Sequence, residues 1–155
     1  MGRNCGYLAL MAGIAGGAES VVIPEAEVEP EVIVRDIQSA YARGKAHALV
    51  IVAEGARNNA ARLAEHFEAH KKQIGFDMRM TTLGHVQRGG TPGAFDRLLA
   101  TRLAAAAVDC LERGEHSRLI GMLQGEVAAT PLTDVVGKPK AIDLNLLKLQ
   151  KVLAQ

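Results

Sequence analysis

Leu49-Val50-Ile51-Val52, followed at once by Ala53-Glu54-Gly55, is the stretch that decides the fold. Four apolar residues in a row, with no alternation, mark a strand covered on both faces, as in a parallel sheet. Upstream, Ser20-Val21-Val22-Ile23 reads as a short β-branched strand stopped by Pro24, and too apolar to lie at an edge. Between the two, Glu25, Glu27, Glu29 and Glu31 mark a solvated loop and helix start. Val32, Ile33, Ile37, Ala40 and Tyr41 then recur at helical spacing up to Arg43-Gly44, where the glycine is a C-cap.

The same alternation runs outward in both directions. Residues 6–15 are apolar and small, a buried helix closed by Gly16-Gly17. Residues 60–74 form an amphipathic helix ending at Gly75, with His66 and His70 one turn apart. No Glu occupies the zinc-protease position and Lys71-Lys72 adjoin, so this pair reads as a solvated face and not a metal site. Residues 78–83 read as a strand in which Arg79 is the one charge. Residues 94–113 make the longest helix, ended by Gly114. Leu119 to Leu123 is a strand that Gln124-Gly125 turns back into residues 127–131, and residues 144–153 close the chain as a short helix. Strands alternating with helices predict a three-layer α/β/α domain with a mainly parallel sheet.

Composition bounds what such a domain does. At 155 residues, 48% apolar and 23% charged, the chain is one ordinary globular domain by length. Aromatic residues make up only 3% and Trp is absent, which predicts a core of Ala, Leu, Val and Ile. A formal charge of +1 argues against a nucleic-acid partner, which needs a basic excess. Cys5 and Cys110 follow no metal-ligand spacing and read as reduced core residues. No stretch is long enough for a membrane span and no leader pattern opens the chain, so the cytoplasm is the expected location.

Any anion site must therefore be local, and Leu83-Gly84-His85-Val86-Gln87-Arg88-Gly89-Gly90-Thr91-Pro92 supplies one. His85 and Arg88 stand three residues apart, beside a Gly-Gly step that lets the main chain fold closely around an anion. A guanidinium fork suits phosphate oxygens, and an imidazole adds a donor. The plainer alternative is a strand-to-helix connection whose Gly and Pro are turn residues. Arg3, just before the first helix and beside Gly2, either faces the same anion or sits on a frayed terminus. Glu54 follows a strand's carboxyl end, where open α/β sheets bind ligands, and can accept hydrogen bonds from hydroxyls. An acid near a helix start at Asn58 and Asn59 is equally consistent.

The motif of residues 83–92, continued by Ala94-Phe95-Asp96-Arg97, strongly resembles the fructose 6-phosphate-binding segment of 6-phosphofructokinases. Met1-Gly2-Arg3-Asn4-Cys5-Gly6-Tyr7-Leu8-Ala9-Leu10 and Ala53-Glu54-Gly55 match further motifs in family order. The resemblance weakens only after about Gln124. It implies a Rossmann-like α/β architecture, phosphofructokinase subunits containing two such domains, and this chain looks like the substrate half.

By the same resemblance, His85 and Arg88 are ligands of the sugar 6-phosphate, Met1, Gly2 and Glu54 contact the sugar, and Arg3 contacts the transferred phosphoryl group as the catalytic residue. Arg79 matches an arginine that reaches into a neighbouring subunit's site, which implies a homo-oligomer. Gly17, Glu19, Arg43, Lys45 and His47 match effector-site positions of allosteric members, although Ala46 replaces a usual basic residue. The family's Gly-Gly-Asp-Gly phosphate loop and Thr-x-Asp-x-Asp base motif do not occur here. ATP or pyrophosphate with Mg²⁺ would thus be held by another half, none by this chain's own motifs, and the chain reads as an incomplete enzyme, inactive alone. The other readings are a non-catalytic sugar-phosphate-binding module and an oligomerisation module.

Overall fold

Ser20–Val22 (β1) and Val50–Val52 (β2) pair in parallel, with Val21 opposite Ile51. The Ala53 N–H donates to the Val22 carbonyl at 2.8 Å and carries the ladder one step further. Between the strands runs Pro30–Ala42 (α2), started by a proline in its first turn and ended at Arg43, with Gly44 beyond it at φ 88°. The computed structural model describes residues 4–138 and 141–154, the side chain of Gln73 excepted. The chain divides into two compact units, residues 1–88 with 142–155, and residues 89–141.

In the first unit, successive β1 residues point to opposite sides, as a pleated strand requires. Val22 joins Ile33 and Ile37 of α2, Leu63 and Phe67 of Ala60–Ala69 (α3), and Ile74 of Lys71–Ile74 (α4). Val21 and Ile23 join Leu10 of Tyr7–Gly16 (α1), with Leu146 and Leu147 of Leu144–Leu153 (α6) packed against them. Helix α6 is also tied by Gln150, which is buried and donates to the Ala18 carbonyl at 2.6 Å.

Gly6, just before α1, shows how closely that helix approaches β1. Its N–H donates to the Glu25 carboxylate at 2.9 and 3.0 Å, and a Cβ there would stand 2.3 Å from the Ile23 Cβ. Gly6→Ala is therefore expected to cost about 1–3 kcal/mol of stability through overpacking, read from chemical denaturation midpoints. An unchanged midpoint would mean that α1 moves freely off the strand.

In the second unit, Ala94–Glu112 (α5) begins where the Gly93 N–H donates to Asp96 Oδ2 at 2.8 Å. Arg118–Leu123 (β3) and Glu126–Pro131 (β4) form the expected hairpin in antiparallel register. Gln124 (φ 52°) and Gly125 (φ 87°) both lie in the left-handed region, the two-residue turn that matches strand twist. Among the described residues of this unit only Cys110 is buried.

Several sequence expectations need correction. The described strands form two separate pairs, one parallel and one antiparallel, in place of one mainly parallel sheet. Among the described residues β1 has a single strand neighbour and so does lie at an edge, and packed helices bury it. Residues 78–83 have the strand pattern but no partner strand among the described residues, and Met78, Met80 and Leu83 are exposed. Alternation favours a pleated surface, but a ladder also needs a neighbour's N–H and C=O groups. The helix expected over 60–74 breaks at His70 (φ −110°), whose ring nitrogen lies 2.8 Å from the His66 carbonyl. The core is not purely aliphatic, because Phe67 and Phe76 meet edge to face at 6.3 Å and Tyr41 tilts onto Phe76 at 5.8 Å. Cys5 is exposed; only Cys110 is a core cysteine.

Candidate functional site

His85–Arg88 forms a single turn of 3₁₀ helix. With three residues per turn, positions i and i+3 eclipse, so His85 and Arg88 share one face. The turn is held by its own segment: the Gln87 N–H donates to the Gly84 carbonyl at 3.2 Å and Gln87 Nε2 to the Leu83 carbonyl at 2.5 Å. His85 and Arg88 are exposed. Neither forms a salt bridge among the described residues, so both donor sets are uncommitted. The next residue, Gly89, has φ 93°, a conformation glycine adopts without strain.

Glu54 is exposed on a tight turn just past β2, closed by the Ala56 N–H donating to the Ala53 carbonyl at 3.1 Å. Its carboxylate carries no hydrogen bond or ion pair among the described residues. Arg79 is exposed on the extended segment before Gly84. Met1, Gly2 and Arg3 lie outside the described residues. No hydrogen bond or ion pair joins Glu54, Arg79, His85 and Arg88 to one another among the described residues, so this set is presented to solvent and not prelinked.

The second predicted set is brought together in part. Gly17, Glu19, Lys45 and His47, with Ala46, Ala48 and Leu49, line a groove of about 580 Å³. Arg43 has other partners, donating to Ser39 Oγ at 2.7 Å and to the Ala154 carbonyl at 2.6 Å. The Glu19 side chain is only 6% exposed, and it accepts from Lys45 Nζ at 2.6 Å and from the Leu49 N–H at 2.5 Å. Burial pushes its carboxyl up, but the Lys45 and Leu49 hydrogen bonds and the Lys45 charge outweigh burial. The net shift is downward. A carboxyl lowered on folding stabilises the fold fully above its unfolded value, about 4.3, and loses that contribution as pH falls through the folded value. The stability gap between the native chain and Glu19→Gln should therefore hold steady at neutral pH and shrink on acidification, measured by urea unfolding across pH. A gap that stays constant into strong acid would contradict this.

His66 and His70 stack with ring centroids 4.4 Å apart, and His66 Nε2 lies 3.7 Å from Glu31 Oε1. Among the described residues no three His, Cys, Asp or Glu groups gather closely enough to hold a metal ion. Arg57 escaped the sequence reading: it pairs with Glu27 and Glu29, residues read there as solvated acids. The available signal was their alternate spacing, which puts two carboxylates on one side of an extended segment, within reach of one guanidinium fork.

The chain is thus of the α/β class, with a basic turn and, just past a parallel strand where open α/β sheets bind ligands, a carboxylate that has no partner among the described residues. The phosphofructokinase family model matches residues 1–111, and the chain belongs to that family. Its relatives include the ATP-dependent 6-phosphofructokinases of Natranaerobius thermophilus (45% identical) and Brevibacillus brevis (41%), and ATP-dependent 6-phosphofructokinase 1 of Thermus thermophilus (44%). Each alignment covers 99% of this chain and 47% of the relative, so the chain spans about half the length of these relatives.

Proposed function

We propose that the chain is the fructose 6-phosphate-binding part of a 6-phosphofructokinase, the class that transfers a phosphoryl group to the sugar 1-hydroxyl in glycolysis. The observation that carries this reading is the pair His85 and Arg88, exposed on one face of a short turn inside the family-matched region, with no ionic partner among the described residues taking their donors. Arg88 offers two parallel N–H bonds to the 6-phosphate and His85 a third donor. Glu54 accepts from the sugar hydroxyls, and Met1 and Gly2 complete that contact. Arg3 neutralises charge on the transferred group, which is where this reaction class gains most of its rate.

The relatives' names favour ATP over pyrophosphate as donor. With Mg²⁺, ATP supplies the activated phosphoryl group, but the described residues gather no set of metal ligands to hold the ion. In this reading donor binding and proton removal belong to the other half of the enzyme. The chain is then one α/β domain of a three-layer, Rossmann-like assembly, working in the cytoplasm as a homo-oligomer with Arg79 completing a neighbour's site. No helix among the described residues is long and apolar enough to cross a membrane. The groove with Gly17, Glu19, Lys45 and His47 is the candidate effector site, weakened by the pairing of Lys45 with Glu19 and by Ala46.

A second reading, an oligomerisation module, draws on α5, where Phe95 is 76% exposed, Leu98 66% and Leu111 61%. Calorimetric titration with fructose 6-phosphate and with fructose separates the two. Binding that requires the phosphate supports the substrate-binding part. No heat with either sugar leaves the oligomerisation module.

A further inference from the structure

The Glu54 turn is tethered on both sides, while its own carboxylate has no partner among the described residues. On the upstream side, Ala53 sits in the β-ladder through its bond to the Val22 carbonyl, and Ala53 and Ala56 are 7% and 5% exposed. On the downstream side, Arg57 Nε lies 3.0 Å from Glu27 Oε2 and Arg57 Nη2 bonds Glu29 Oε1. Between those two acids, the Val28 carbonyl accepts from Asn58 Nδ2 at 2.9 Å. The Arg57 carbonyl in turn accepts from Arg62 Nη1 at 3.1 Å. Three consecutive residues, Glu27, Val28 and Glu29, are thus gripped by two consecutive residues, Arg57 and Asn58.

We propose that Arg57 and Asn58 are positioning residues that hold the 53–56 turn so that Glu54 is presented to the sugar hydroxyls, an inference that rests on the assignment of Glu54 given above. One exposed ion pair stabilises little, because water and salt screen it. Here a forked arginine and an amide act on the same short segment, and the amide's bond to a main-chain carbonyl is not screened by salt. The result is a turn with little freedom at the place where a hydroxyl acceptor must meet the narrow distance and angle range of a hydrogen bond. Neither residue need touch the ligand, so their loss should leave phosphate recognition at His85 and Arg88 intact.

The test uses the full chain and the double substitution Arg57→Ala with Asn58→Ala, read in two ways. Amide exchange in the free chain is expected to speed up about five- to tenfold at Ala56, whose N–H closes the turn, with Ile51 and Val52 unchanged. Titration is expected to show about three- to tenfold weaker fructose 6-phosphate binding with inorganic phosphate binding unchanged. Arg57→Lys alone keeps the charge but cannot fork, and should lie between the native chain and the double variant. Unchanged exchange at Ala56, or equal losses for the sugar phosphate and phosphate, overturns the proposal. Faster exchange throughout β2 would mean a general loss of stability and also overturns it. A native chain that binds neither ligand overturns the assignment of Glu54 and with it the ligand role of this latch, while the exchange ratio still decides whether Arg57 and Asn58 hold the turn.

Discussion

Replacing Arg88 by Ala is expected to weaken fructose 6-phosphate binding by roughly 1.5–3 kcal/mol, about 10- to 150-fold, the range for hydrogen bonds to a charged group. The effect should be clean. Arg88 is exposed and makes no salt bridge among the described residues, so its truncation strands no buried partner and leaves stability nearly unchanged. Fructose, lacking the phosphate, should bind the variant and the native chain alike. Glu54→Gln should show the reverse pattern, since that carboxylate is assigned to hydroxyls. Calorimetric titration of both variants with both sugars reads this directly; a variant at Arg88 that loses both ligands equally, or neither, removes it from the phosphate site.

Supplied with fructose 6-phosphate, Mg²⁺ and either ATP or pyrophosphate, the chain alone is expected to form no fructose 1,6-bisphosphate. Phosphoryl transfer depends on positioning and charge stabilisation, and holding both reactants in line is worth up to ~7–11 kcal/mol of the barrier. A general base contributes a further ~10²–10⁴ in rate. The described residues offer no gathered metal ligands, and the sequence carries neither the phosphate loop nor the base motif of the family it belongs to. A coupled assay on highly purified chain reads the outcome. Steady turnover that follows the chain through purification and vanishes in Arg3→Ala would show that donor binding is built from residues assigned here to structure.

What was legible in the sequence is what depends on neighbours along the chain. The apolar run at Leu49 to Val52, the Gln124-Gly125 turn and the Gly17 and Gly44 helix ends carry their own local signals, and β2, the hairpin, α1 and α2 form where those signals stand. The three-residue spacing of His85 and Arg88 was legible, but not the 3₁₀ turn that puts them on one face, because the same spacing in a strand would point them to opposite sides. Residues 78–83 mark the limit: their pattern says how a strand would face, but nothing local names the strand that should pair with it. The grip of Arg57 and Asn58 on residues 27–29 spans about 30 positions, and the bond from Arg43 to the Ala154 carbonyl spans 111. Such contacts are set by how the helices pack, which no local period encodes. Glu19 and Lys45 were grouped only by the family resemblance, and it is the fold that shows the two charges paired with each other at 2.6 Å.

The claim that the 84–88 turn and Glu54 form one sugar-phosphate site is tested most directly by mapping backbone amide shifts while fructose 6-phosphate is titrated into ¹⁵N-labelled chain. The expected result is a single saturable set of shifts at Gly84, His85, Gln87, Arg88 and Gly89 together with Glu54 and Gly55, with inorganic phosphate reproducing only the first group. Shifts confined to the groove between Gly16 and Leu49, or no saturable shifts at all, would contradict it.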